Sequence, residues 1–236
     1  MSSAIRRILN RDTKAIQKHK LNEMGIYIEF DEDNILSAKA MIIGPKDSIY
    51  SGGILFFTID FPTNYPYSPP RVNYVSRGSI RIHPNLYTGS SRDNYLGKVC
   101  LSILGTWSGP QWTTIMDISS VLISIQSLLD NNPLDHEPGF SGKKTPSHTN
   151  YKRCVEYETI RTLILKNSTD IPEPFLCFQP IIESHIQPMI PKILQFLNDR
   201  CESDYLNQVI VTPVYNIRLL LDYKFLKKQL QLKFKI

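Results

Sequence analysis

Three side chains in the middle of the chain have types and spacing that chemistry can use. They are His83, Asn85 and Cys100, in the segments His83-Pro84-Asn85 and Gly97-Lys98-Val99-Cys100-Leu101. A cysteine thiolate attacks acyl groups readily. An asparagine amide can donate to an oxyanion as it develops. A nearby histidine serves as a general base, or only braces its loop. Each residue also has an inert reading. The cysteine can be a small buried hydrophobe, the histidine a hydrogen-bonded brace, and Asn85 after Pro84 a turn element. Spacing alone supports a thiol acyl-transfer site, and a cysteine hydrolase using Cys100 and His83 would need the same residue types. Either chemistry calls for a sulfur in a shallow groove built from loops, with an amide donor beside it.

The elements that must position these residues can be read from periodicity. Ile5, Ile8, Leu9, Ala15 and Ile16 recur at helical spacing with Arg6, Arg7, Arg11 and Lys14 between them, which predicts an amphipathic helix over about residues 2–20. Strand-like runs follow at 25–30, 36–43, 54–61 and 71–75, separated by Gly, Pro, Asn and Asp. Residues 62–70 hold four prolines in nine positions. One helix followed by four consecutive strands on short connections predicts an α+β fold with an antiparallel meander. Residues 76–115, which contain the reactive candidates, have few periodic runs, and a loop stretch of that length is usually functional. Ile118, Val121, Leu122, Ile125, Leu128 and Leu129 then share one helical face. Asp117 is placed to cap that helix, and Asn131-Asn132-Pro133 to stop it.

Beyond residue 140 the pattern predicts a mainly helical C-terminal extension over 141–236, appended to a core over 1–140. Residues 141–150 read as a loop and 150–166 as a helix. Five prolines break up 170–192, and further helices are expected over about 192–208 and 213–232. The end of the last segment, where Leu and Phe alternate with Lys, could equally be a strand.

Composition narrows the class. The chain has 236 residues, 42% of them apolar, enough for a core domain plus an appendage. There is no internal repeat, no apolar run near the roughly 20 residues that span a bilayer, and no apolar signal core behind Arg6 and Arg7. Cys100, Cys154, Cys177 and Cys201 form no CxxC pair and match no zinc spacing, so no metal is expected and the thiols are expected to be reduced, in the cytoplasm, the nucleus or both. The net charge is +5 and the pI about 8.9. Acidic residues are scattered among the basic ones, so a solvated mixed surface is expected, without a nucleic-acid or membrane partner. The excess also suits docking to an acidic protein surface.

Several short signatures, taken in order, resemble the ubiquitin-conjugating enzyme family. They are Gly44-Pro45 with Tyr50 and Gly52-Gly53; Phe61-Pro62-Thr63-Asn64-Tyr65-Pro66-Tyr67-Ser68-Pro69-Pro70; His83-Pro84-Asn85; Gly97-Lys98-Val99-Cys100-Leu101; Trp107 and Pro110; and Ile125 to Leu129 followed by Asn132-Pro133. The resemblance covers about residues 3–140. The run from Cys100 to Pro110, the helix from Ile118 to Leu128, and Glu137-Pro138-Gly139-Phe140 are similar to one branch, the enzymes charged by the alternative ubiquitin-activating enzyme. That branch includes its Z-type member and is related to the conjugating domain of the giant inhibitor-of-apoptosis protein. Glu158-Thr159-Ile160-Arg161 is similar to its helical extension.

The resemblance implies an N-terminal helix, a four-stranded antiparallel sheet and a central helix behind it. It implies that Cys100 carries ubiquitin or a relative as a thioester, received from an activating enzyme and passed to a ligase or to a lysine of a protein substrate. Asn85 would support the oxyanion or the loop. His83 and Pro84 would be structural, and Asp135 or His136 would activate the incoming amine. Tyr67, Trp107 and Pro110 would meet the ligase, and Arg6 and Arg7 the activating enzyme. A monomer without a cofactor is implied, ATP being consumed by the activating enzyme. A non-catalytic ubiquitin-binding or ligase-docking variant of the fold is the alternative. One departure stands out: Asn85 and Cys100 lie fifteen positions apart, about twice the family separation. The extra residues, roughly Thr88 to Tyr95, lie beside the thiol.

Overall fold

A computed structural model describes residues 2–93, 95–202 and 207–236. Asn94, inside the expected loop extension, and residues 203–206, inside the helix expected over 192–208, lie outside the described residues. The chain forms two compact units, neither continuous in sequence. The first comprises Met1–Gly44, Leu55–Arg77 and Asn85–Leu129; the second comprises Pro45–Ile54, Gly78–Pro84 and Asp130–Ile236.

In the first unit the N-terminal helical run is α1 (Ser3–Arg7), a π-helical stretch Ile8–Asp12, and α2 (Thr13–Lys18). Ser2 caps it, its hydroxyl accepting from the Ile5 N–H at 3.3 Å. Ala4, Ile8 and Asp12 form its buried stripe. The sheet follows as β1 (Ile26–Phe30), β2 (Ser37–Ile43), β3 (Ile54–Asp60), β4 (Arg71–Val75) and β5 (Leu96–Lys98), side by side in that order. β1/β2, β3/β4 and β4/β5 pair antiparallel, with Ile28 opposite Ala40, Phe57 opposite Tyr74 and Tyr74 opposite Gly97. The expected meander therefore gains a fifth strand. Its three residues pair only because β4 offers a free edge, and so short a run has no periodic signature.

α3 (Ile118–Leu128) buries Ile118, Val121, Leu122 and Ile125, the stripe expected of it. The Asp117 carboxylate accepts from the Ser120 N–H at 3.2 Å, which is the expected N-cap. The Gln126 side-chain amide donates to the Met24 carbonyl at 2.7 Å and the Ile43 carbonyl at 3.2 Å, tying α3 to the strand ends.

The second unit is built on α4 (Pro146–Glu158), which starts earlier than expected because Thr145 and His148 form a capping box with Pro146 at the first position. It runs into a π-helical segment, Thr159–Lys166, with Ile160, Leu163, Ile164 and Leu165 buried. Then come α5 (Asn167–Thr169), α6 (Gln179–Ile186) and α7 (Ile190–Glu202). The helix expected over 213–232 is wrong in its first half. Residues 208–221 are a hairpin of β6 (Gln208–Thr212) and β7 (Ile217–Leu221), and only α8 (Tyr223–Phe234) is helical. The pattern Ile217-Arg218-Leu219-Leu220-Leu221 buries every second residue, which is strand periodicity.

Two early loops belong to this unit through specific bonds. The Asn131 amide donates to the Asp47 carbonyl at 2.6 Å, the Tyr151 hydroxyl to the Arg81 carbonyl at 2.9 Å, and the Tyr50 hydroxyl to the Ile82 carbonyl at 2.7 Å. Glu158, fully buried, accepts from the Ser79 hydroxyl at 3.2 Å and the Thr162 hydroxyl at 2.6 Å, and is bridged by Arg161. The Glu158-Thr159-Ile160-Arg161 signature thus holds loop 78–84 with a paired buried carboxylate.

Candidate active site

The segment after Asn85 runs out and returns to Cys100 as an antiparallel ladder. The Cys100 N–H donates to the Asn85 carbonyl at 2.8 Å, Leu86 bridges Val99, and the Tyr87 N–H donates to the Lys98 carbonyl at 3.0 Å. Gly97 is required on the return, since a Cβ there would lie 1.7 Å from the Tyr87 carbonyl oxygen. Residues added at the tip of a hairpin lengthen it without moving the register at its foot. Fifteen positions of sequence therefore become a direct cross-strand pair, and the Asn85 side-chain amide donates to the Cys100 carbonyl at 2.7 Å.

The expected amide donor is in place, but the expected open groove is not. Cys100 is 2% exposed and Asn85 4%. Past Cys100 the chain doubles back. The Leu101 N–H donates to Thr106 Oγ1 at 2.9 Å, and that hydroxyl lies 2.8 Å from the Val99 carbonyl, closing the segment with Leu101 and Leu104 buried. Thr106 is a positioning residue the sequence reading passed over; the only local signal is Gly105, at φ +67° in the turn.

No disulfide involves the other cysteines. Cys177 is exposed and Cys201 half-buried. Burial pushes the Cys154 thiol up to about 11, so it stays protonated and inert near neutral pH.

His83 is fully buried, with its ring 6.3 Å from that of Tyr50 and 4.8 Å from that of His136. Arg81 donates to the Pro84 carbonyl and lies over the Tyr215 ring at 4.5 Å. Both arrangements fix the loop that ends at Pro84. Asp135 and His136 sit in the 3-10 turn Pro133–His136. His136 Nε2 is 2.9 Å from Asp130 Oδ2. The Asp135 side chain keeps 41% of its surface, with Oδ1 3.4 Å from His148 Nε2.

In the first unit Tyr67 is 75% exposed, Pro110 exposed and Trp107 half-buried. The Trp112 indole N–H, which the sequence reading did not single out, donates to the Pro66 carbonyl at 2.7 Å and so fastens the Tyr67 loop to the loop of Trp107 and Pro110. The two arginines differ. Arg6 is exposed. Arg7 is 10% exposed, 3.2 Å from Asp12 Oδ2, and donates to the Met116 carbonyl at 2.6 Å. Asp12 also accepts from the Tyr65 hydroxyl and, at 3.0 Å, from the Ile118 N–H. Burial raises the Asp12 pKa above the usual carboxylate value, opposed by these donors and by Arg7. This network joins the N-terminal helix, the Pro-rich loop and the start of α3.

Among the described residues no cluster of three or more His, Cys, Asp or Glu is arranged to hold a metal ion. No helix of the described residues is long and apolar enough to cross a membrane.

Comparison with known proteins agrees with this geometry. A family model described as ubiquitin-conjugating enzyme matches residues 8–158. Over 172 residues the chain is 40% identical to human Ubiquitin-conjugating enzyme E2 Z, covering 70% of this chain and 46% of that protein. Over 175 residues it is 38% identical to human Dual E2 ubiquitin-conjugating enzyme/E3 ubiquitin-protein ligase BIRC6, covering 68% of this chain and 3% of that one. The chain thus spans less than half the length of these relatives. With the cysteine hairpin, the sheet and the capped central helix all inside the matched region, this chain belongs to the ubiquitin-conjugating enzyme family, in the branch of the Z-type enzyme and the BIRC6 conjugating domain.

Proposed function

We propose that Cys100 accepts ubiquitin or a ubiquitin-like protein from an activating enzyme and transfers it to an amine. In the first step Cys100 Sγ attacks the thioester carbonyl of the charged activating enzyme. A new C–S bond forms, the old one breaks, and the Cys100 proton passes, net, to the departing cysteine. In the second step a substrate amine attacks, a C–N bond forms, the C–S bond breaks, and the amine proton returns, net, to the Cys100 sulfur. Neither step needs a cofactor; ATP is consumed earlier, by the activating enzyme.

The observation that carries this reading is the Asn85 amide held 2.7 Å from the Cys100 carbonyl. In the resting hairpin Asn85 braces the strand that bears the thiol. With an acyl group on Sγ, a turn of its amide brings a donor to the oxyanion. Because Cys100 is 2% exposed, charging requires a local opening around the thiol. Asp135, the more exposed of the two candidates on its turn, is assigned to meet the incoming amine, and His136, held by Asp130, to shape the turn. Tyr67, Trp107 and Pro110 form the ligase face. Arg6 meets the activating enzyme, and Arg7 supports it from within the Asp12 network. Residues 1–140 carry the transfer chemistry and residues 141–236 add binding surface, in a monomer working in the cytoplasm or nucleus.

The test is a charging assay with a panel of activating enzymes, modifiers and ATP. The chain should form an adduct that thiol reductant cleaves. Cys100→Ala should abolish it, and Cys100→Lys should give a reductant-stable adduct. A reducible adduct that persists in Cys100→Ala moves the site to another cysteine. No charging with any pair, alongside measurable ubiquitin binding, leaves a non-catalytic docking module.

A further inference from the structure

The second unit contains a cavity of about 740 Å³, walled by the turn that carries Asp135, the loop 142–145 and one face of α4. Its volume lies in the range of sites that bind small ligands or a few residues of peptide. The wall is strongly cationic, with five Lys or Arg side chains against two carboxylates, an excess of three positive charges. Glu156 is engaged, its Oε2 3.2 Å from Arg200 Nη2, whereas Asp135 Oδ1 lies 3.4 Å from His148 Nε2 without hydrogen bonding to it. Among the described residues Lys143, Lys144 and Lys152 make no ion pair, though all three line the same concavity. Like charges gathered in a concave wall repel one another and focus a positive potential into it. An anion placed there relieves that repulsion.

We infer that this cavity receives a phosphorylated segment of the protein substrate. This rests on the transfer reading above. Two features favour a phosphate over a lone carboxylate. A phosphoserine carries close to two negative charges and three acceptor oxygens. Lysine ammoniums are compact, mobile point charges that gather around such a group without demanding planar geometry. The cavity therefore selects substrates that carry a phosphate.

The test uses two synthetic peptides, each with one lysine, identical except that one carries phosphoserine where the other has serine. Ubiquitin-charged full-length chain is mixed with each, and single-turnover discharge is followed. The phosphopeptide should react about tenfold faster, the effect of one additional charge-assisted bond, and the advantage should shrink as salt is raised. Lys143→Gln/Lys144→Gln/Lys152→Gln should lose the advantage while charging of Cys100 and discharge to free lysine stay unchanged. The triple Lys→Arg chain, which keeps the charge, should retain it and controls for folding. Equal rates for the two peptides in the wild type, or an advantage that survives the glutamine variant, overturns the proposal. A single-stranded RNA oligonucleotide that binds through these lysines while the phosphopeptide gains nothing overturns it in favour of nucleic acid. Fluorescence anisotropy of the labelled phosphopeptide on the uncharged chain separates the two readings: lysine-dependent binding without any charging keeps the phosphate site and removes the transfer function.

Discussion

Asn85 and Cys100 hold each other twice. The Cys100 N–H donates to the Asn85 carbonyl at 2.8 Å, and the Asn85 side-chain amide donates to the Cys100 carbonyl at 2.7 Å. The backbone bond belongs to the ladder and survives any substitution at position 85. The side-chain bond does not. Asn85→Ala should therefore leave the hairpin paired and Cys100 chargeable, while discharge to free lysine falls by about 10²–10³, the cost of losing one oxyanion donor in other enzymes. Separate single-turnover charging and discharge assays check this. An equal fall in both would assign Asn85 to bracing alone.

The long excursion between these residues should be dispensable for register. Replacing residues 88–95 by Asn-Gly leaves a four-residue connection, Asn-Gly-Leu96-Gly97, between Tyr87 and Lys98, long enough to close the same ladder with Leu86 opposite Val99 and Cys100 opposite Asn85. The rate of Cys100 charging should be unchanged. If charging is lost with the fold intact by circular dichroism, the excursion itself contacts the activating enzyme or the modifier.

The cysteines should separate by reactivity. In an iodoacetamide time course followed by mass spectrometry near neutral pH, exposed Cys177 should react first. Cys100, at 2% exposure, should react only as fast as the structure around it opens. Cys154, with its thiol pushed up to about 11, should react last and gain as pH rises toward that value. Thr106→Val removes the hydroxyl that closes the 99–106 segment and should quicken labelling of Cys100 alone.

Asp12 should prove a structural charge. Asp12→Ala strips an acceptor from Arg7, Tyr65 and the Ile118 N–H together, and should destabilise the chain by about 3–5 kcal/mol in urea unfolding, as for other buried pairs broken on one side. The pH dependence follows from the direction of the shift. Burial raises the folded pKa above the unfolded value of 3.8, so the contribution from binding the proton more tightly is fully present below 3.8. It is lost as pH rises through the folded value. Asp12→Asn cannot titrate, so its stability relative to the wild type should improve across that interval. A constant difference between the two would mean that the Asp12 pKa is unshifted.

Glu158 offers a parallel test in the second unit. Glu158→Ala leaves Arg161 and the Ser79 and Thr162 hydroxyls without their common acceptor, and should cost about 3–5 kcal/mol by the same measurement. Glu158→Gln, which keeps an acceptor oxygen, should cost less.

Local order was legible wherever a signal is written within one or two turns of chain. Asp117 with the stripe Ile118, Val121, Leu122 and Ile125 determined a capped helix, because both the cap and the 3.6-residue period act between near neighbours. The four longer strands likewise determined the α+β class, and the order of the signatures around Cys100 the family. The hairpin 208–221 was passed over although Gln208-Val209-Ile210-Val211-Thr212 is rich in β-branched residues, because Leu219-Leu220-Leu221 runs on into the Leu- and Lys-rich helix 223–234, and the pairing of Val209 with Leu220 is what separates the two. Tertiary structure alone decided that Cys100 is covered, that Arg7 is drawn into the Asp12 network while Arg6 stays at the surface, and that loops 45–54 and 78–84 join residues from the far end of the chain. Burial and ion pairing depend on which distant segments arrive at a point in space, and no window of neighbouring residues contains that information.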